Sequence, residues 1–83
     1  MRLMTLYEHF IQFPDGEEQE IPGALRIDQL VDLNGRPLEL PLPSPRMIVY
    51  RVMKIRHEED RGIYSIYYGV ELVGAQELIG FTR

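Results

Sequence analysis

The chain's stock of nucleophiles and imidazoles is short. Ser44, Ser65, Thr5 and Thr82 are its only hydroxyl nucleophiles of the serine or threonine type, His9 and His57 its only imidazoles, and cysteine is absent. Neither serine sits in the G-x-S-x-G turn that holds a hydrolase nucleophile at a strand end, and a triad would need long-range convergence with one of the two histidines. His57-Glu58 begins like the H-E-x-x-H zinc signature, but Arg61 stands where the second histidine is required. Without that ligand one helical turn on, the signature has no metal site to build.

Thirteen acidic residues leave paired-carboxylate chemistry open by number alone. Catalysis needs one of them in an apolar setting that raises its pKa, and Asp28, Asp32 and Glu71 come nearest. Each of these fits better as the outward position of a half-buried strand. The acidic patch Glu17, Glu18 and Glu20 lacks the Asp/Asn ladder and central glycine of a calcium loop. Gly74 and Gly80 are too isolated for a phosphate cradle. The expectation is therefore no catalytic residue, no metal site and no cofactor.

Binding chemistry is better represented. Arg51, Met53, Lys54, Arg56, Ile63 and Tyr67 fall within one stretch, and Arg, Met and Tyr are the types that interface centres favour. They suggest a non-enzymatic protein-interaction or homo-oligomeric accessory domain, with a protein partner or a second copy of the chain as its ligand. The alternative is a small β-barrel that binds single-stranded nucleic acid, with arginines on phosphates and tyrosines under bases. That reading needs several exposed rings. Alternation assigns Tyr64 and Tyr68 to the apolar core side, which leaves Tyr67 exposed.

The elements that must position these residues run from Arg46 to Val73. RMIVYRVMKIR and IYSIYYGVELV are two long β-rich runs joined by HEEDRG, which reads as an exposed hairpin connection closed by Gly62 in a left-handed conformation. Apolar parity switches inside the first run. Ile48, Tyr50 and Val52 share one side, whereas Met53 and Ile55 continue on the other, which is what a β-bulge does. Gly69, inside the second run, marks a place for curvature or close backbone approach.

Upstream, LMTLYEHFIQF fits both helical and strand periods, and its aromatic and β-branched content tilts it toward a strand. EEQE predicts a solvated loop or a charged edge strand. Asn34-Gly35 between ALRIDQLVDL and RPLELPL predicts a two-residue type I′ hairpin, with a helix over ALRIDQLVDL as the competing reading. Leu38, Leu40 and Leu42 then fit an edge strand interrupted by prolines, LPLPSPR a rigid connector, and ELIGFT a short last strand. The fold expected is mainly β: a small, strongly curled antiparallel sheet or barrel of five to six strands, with room for one short helix.

Composition sets the limits on this domain. At 83 residues without a disulfide the core is thin, and pairing with a copy or a larger partner is a common way to recover burial. The net charge of −4 is uneven: residues 1–32 carry seven carboxylates against Arg2 and Arg26, while residues 33–83 are close to neutral. An acidic balance works against non-specific binding to nucleic acid or anionic membrane. The opening MRLMTLYEHF has neither the pattern of a secretory signal nor that of a membrane span, and with no cysteine a cytoplasmic setting is expected.

Overall fold

The computed structural model describes residues 6–82. Their elements are β1 (Leu6–Gln12), β2 (Glu18–Ile21), β3 (Leu30–Val31), β4 (Tyr50–Asp60), β5 (Ile63–Leu72) and α1 (Ala75–Phe81). The five strands form one curled sheet in the order β2-β1-β5-β4-β3, a half-barrel with one short helix.

β4 and β5 form the hairpin at its centre. Arg61 and Gly62 have φ of 55° and 85°, so the connection is a two-residue type I′ turn, and Asp60 and Ile63 are the closing pair. The tip is thus much shorter than the six-residue connection expected from HEEDRG; His57 to Asp60 continue the strand. Gly62 supplies the left-handed position as expected. The parity switch is also where the sequence placed it: the register shifts between Val52 and Lys54, leaving Met53 as the extra residue. Gly69 lies opposite Lys54, and a Cβ there would sit 3.1 Å from the lysine Cγ.

The sheet is mixed rather than an antiparallel meander. β1 runs parallel to β5, with Tyr7 beside Tyr64 and Ile11 beside Tyr68, and carries β2 antiparallel on its far side. Such a pairing needs a long crossover. Here residues 22–49, mostly irregular, are part of that crossover. They hold β3, which meets β4 at Leu30–Arg51 and Val31–Tyr50.

The two faces are covered by different parts of the chain. Ile11, Ile21, Leu25, Val31, Val52, Tyr68 and Val70 pack together on one. Leu30, Leu42, Val49, Val73 and Leu78 pack on the other. Neighbouring Leu30 and Val31 supply one residue to each, as strand alternation requires.

Several local expectations are corrected. ELIGFT is helical: Leu78 is buried and Phe81 half-buried, and i,i+3 spacing lets both reach the second cluster. Asn34-Gly35 does turn the chain, but in a longer loop. Gly35 alone takes positive φ, Asp32 Oδ1 accepts the N–H groups of Asn34 and Arg36, and a Cβ on Gly35 would meet Ile11 and Ile21 at 2.8 Å. ALRIDQLVDL forms neither a helix nor a full strand, and Leu38–Leu42 forms no strand beyond the Val31–Pro37 bridge. β1 is a strand, although Leu3 to Thr5 of that segment lie outside the described residues. The acidic patch ends up on β2, a charged edge strand.

Candidate binding surface

The molecule is long, 53 × 23 × 17 Å, because the sheet outruns its cover. Beyond the bulge, residues 53–60 of β4 run on as an arm with their partners on β5 and β1; β2 flanks β1 as far as His9, and past that row the arm is three-stranded. At the sheet's other end each face carries a buried cluster; along the arm, exposure rises on both.

One face of the arm carries most of the residues singled out by the sequence. Register places Phe10, Tyr67 and Arg56 in one row across β1, β5 and β4. Phe10 and Tyr67 stack with centroids 5.2 Å apart, and the Arg56 guanidinium carbon lies 4.3 Å from the Tyr67 ring centre. Arg56 also forms an ion pair with Glu58. The neighbouring rows are Lys54 beside Gly69 on one side and Glu58 beside Ser65 beside Glu8 on the other, with Asp60 beside Ile63 beside Leu6 one row further. Lys54, Arg56, Ile63 and Tyr67 therefore share a face.

Arg51 and Met53 are set apart from them. Arg51 lies before the bulge, where its Nε and Nη2 donate to Glu71 Oε2 at 3.1 and 2.6 Å, and Nη2 donates to Glu77 Oε1 at 3.1 Å. Glu77 lies in the first turn of α1, so this guanidinium ties the helix to the sheet. The bonds from both carboxylates raise the Arg51 pKa, and Arg51 in turn holds Glu77 below the ordinary carboxylate range. Met53 is the bulged residue and is half exposed.

The opposite face of the arm holds an aromatic ladder that the sequence did not reveal. Tyr7 and Tyr64 stack at 5.4 Å, and His9 stacks on Tyr68 at 5.9 Å with its Nδ1 2.9 Å from the phenol oxygen. Tyr68 is buried as expected, but Tyr64 lies past the end of the core and is exposed. At the tip, Leu6 (51% exposed) and Ile63 (38%) form an apolar pair on one face, and Tyr7 (64%) and Tyr64 (38%) form another behind it.

His57 and Glu59 point to one face, while Glu58 and Asp60 point to the other, so the acidic run does not gather around a single point. A separate open cleft of about 420 Å³ lies between Phe13, Leu33, Tyr50 and Leu72, with Asp15 and Glu17 at its rim. Asp15 there already accepts the Glu17 N–H. Among the described residues, no helix is long and apolar enough to cross a membrane.

Fold and surface together define a small, mainly β half-barrel with a projecting arm. The chain belongs to the family described as "Uncharacterised Treponema protein", which it matches over residues 5–81. No curated protein and no solved structure matches it.

Proposed function

We propose that the chain is a non-enzymatic interaction domain that binds protein, another copy of itself included, through its arm. The observation that carries this reading is the apolar tip, where Leu6, Tyr7, Ile63 and Tyr64 remain exposed on two faces of one short segment. Scattered apolar side chains are ordinary on a surface, whereas a contiguous group marks a contact site. Rigid β pairing also lowers the entropy lost on docking. The reading takes the chain as cytoplasmic, the setting its sequence leads one to expect.

Protein is favoured over single-stranded nucleic acid by how Arg51 and Arg56 are engaged. Arg51 faces two carboxylates and Arg56 one, and the Tyr67 ring lies between Phe10 and Arg56. A base would have to displace Arg56 to stack there.

Site-specific photo-crosslinking in cells that express the chain tests the reading. A photoreactive residue at Tyr7, Met53 or Ile63 is expected to give discrete protein adducts, and one at Arg26 or Glu39 on the body is not. Equal labelling from arm and body would sink it.

A further inference from the structure

The arm's β4 edge has no partner strand among the described residues from Met53 to Asp60, since β3 pairs only with Arg51 and Tyr50. Open edges invite pairing, and which strand an edge accepts depends on its side chains. In antiparallel pairs, residues alternate between exchanging hydrogen bonds with the partner and directing them away. Asp60–Ile63 closes the type I′ turn and is a bonded pair, so Ile55, His57 and Glu59 turn their N–H and C=O groups outward. Three outward residues, spaced two apart, form a symmetric docking template.

The side chains match that symmetry. Laid antiparallel on a second β4 with His57 on the axis, Lys54 falls opposite Asp60 of the second copy and Arg56 opposite its Glu58. Each ion pair is made twice by the two-fold, and no like charges face each other on that side of the sheet. Ile55 falls opposite Glu59. Sliding the copies by one pleat in either direction brings Arg56 against its own copy or Glu58 against its own. The centred register makes four ion pairs and no like-charge contact, whereas each neighbour makes two ion pairs and one repulsion, so charge favours the centred one.

Length agrees as well. In this register Met53 lies opposite Arg61 of the second copy, so the partner's turn ends where the β3 side of the edge begins. That ledge presents Asp28, which is exposed, has φ of 71° and donates its N–H to Val52 O at 2.9 Å. The existing Arg56–Glu58 pair within one chain is exposed on both sides, so exchanging it for a pair between chains loses little.

From this we infer that two copies associate through antiparallel β4–β4 pairing centred on His57, making one continuous sheet of β1, β5 and β4 from each. The inference rests on the interaction reading and names the partner for one side of the arm. A strand-edge contact of this size is small, and dissociation on the order of 10–100 µM is expected.

Light scattering and sedimentation of the whole chain from about 10 µM to about 1 mM should show a monomer–dimer equilibrium at about 50 mM salt that weakens at about 500 mM. Lys54→Glu with Arg56→Glu should weaken dimerisation by about tenfold or more. Adding Glu58→Lys and Asp60→Lys to the same chain should restore it, because the swapped pattern is again self-complementary. His57→Pro removes an outward N–H that the monomer's own sheet does not use, so it should leave a folded monomer by circular dichroism. Hydrogen exchange gives the register directly: the Ile55, His57 and Glu59 amides should gain protection as the chain is concentrated.

A monomer at every concentration overturns the inference, as does a dimer indifferent to the charge swap and to His57→Pro. If the chain is monomeric but arm positions crosslink to another protein, the edge pairing fails and the interaction reading stands. If it is monomeric and the arm gives no adducts, both fall.

Discussion

The body and the arm are built from the same two strands, yet they are held in opposite ways. Before the bulge, β4 and β5 are covered on both faces: Val52 and Val70 face one cluster, while Val49 and Val73, just outside the strands, join Leu42 and Leu78 on the other. Past it, Tyr68, Ile55 and Ile66 still reach the first cluster, but toward the tip the strands are braced by ladder hydrogen bonds and by side chains stacked between neighbouring strands, Phe10 on Tyr67 and Tyr7 on Tyr64. Core packing is thus concentrated at one end. The body also exposes Ile27, Leu33, Leu40, Ile48, Leu72 and Ile79; what sets the arm apart is that Leu6, Tyr7, Ile63 and Tyr64 are register neighbours gathered at one tip, and such a group calls for a functional explanation.

The largest test of that contrast is a pair of truncations on the same strand. Ile11→Ala empties a fully buried site on β1 and should cost about 2–5 kcal/mol, enough to unfold much of a marginal domain. Leu6→Ala, five residues earlier on that strand but half exposed, should change stability by less than about 1 kcal/mol. Urea denaturation of dilute protein compares them. Equal losses would mean that the arm is part of the cooperative core.

Next in size is a pair of glycines. Gly35→Ala in the body combines a positive φ of 78° with contacts of 2.8 Å to two buried isoleucines, and should cost about 2–3 kcal/mol. Gly62→Ala in the arm puts a side chain on a left-handed backbone, at φ of 85°, and should cost about 1 kcal/mol. Denaturation midpoints that rank the two the other way round would break the division between packed body and open arm.

The arm was far more legible in the sequence than the body. The parity switch at Val52–Met53, the closing role of Gly62 and the close approach at Gly69 are local consequences of strand alternation and turn sterics. The body depends on pairings across long stretches of chain. Nothing within the β1 segment announces that it lies parallel to β5, more than fifty residues on, so Phe10 and Tyr7 could not be placed beside Tyr67 and Tyr64. Alternation also told which way Tyr64 points but not where the core ends along that face. ELIGFT misled for a related reason: Leu78 and Ile79 are adjacent and have no clear period. The helix is fixed instead by what Leu78 and Phe81 pack against and by Arg51 reaching Glu77. Of the candidate site, the shared face of Lys54, Arg56, Ile63 and Tyr67 could be read from alternation, whereas the engagement of Arg51 with two carboxylates required the position of α1.

The smallest effect expected is at that latch, where the body's order depends on charge rather than on packing. Arg51 holds the Glu77 carboxylate below its ordinary pKa, so Glu77 binds a proton less readily in the folded chain than in the unfolded one. Its stabilising contribution is then fully present above the ordinary carboxylate pKa and is lost as pH falls through the depressed folded value. Glu77→Gln should lower the melting temperature slightly at neutral pH, and the gap to the parent should close on acidification. Both partners are accessible to solvent, with side chains 21% and 45% exposed, so added salt should shrink the neutral-pH gap as well. Arm amides should be indifferent to the substitution, while amides of α1 exchange faster. A gap that persists in acid, or protection lost equally in arm and helix, would show that the two ends are coupled through this guanidinium and not independently held.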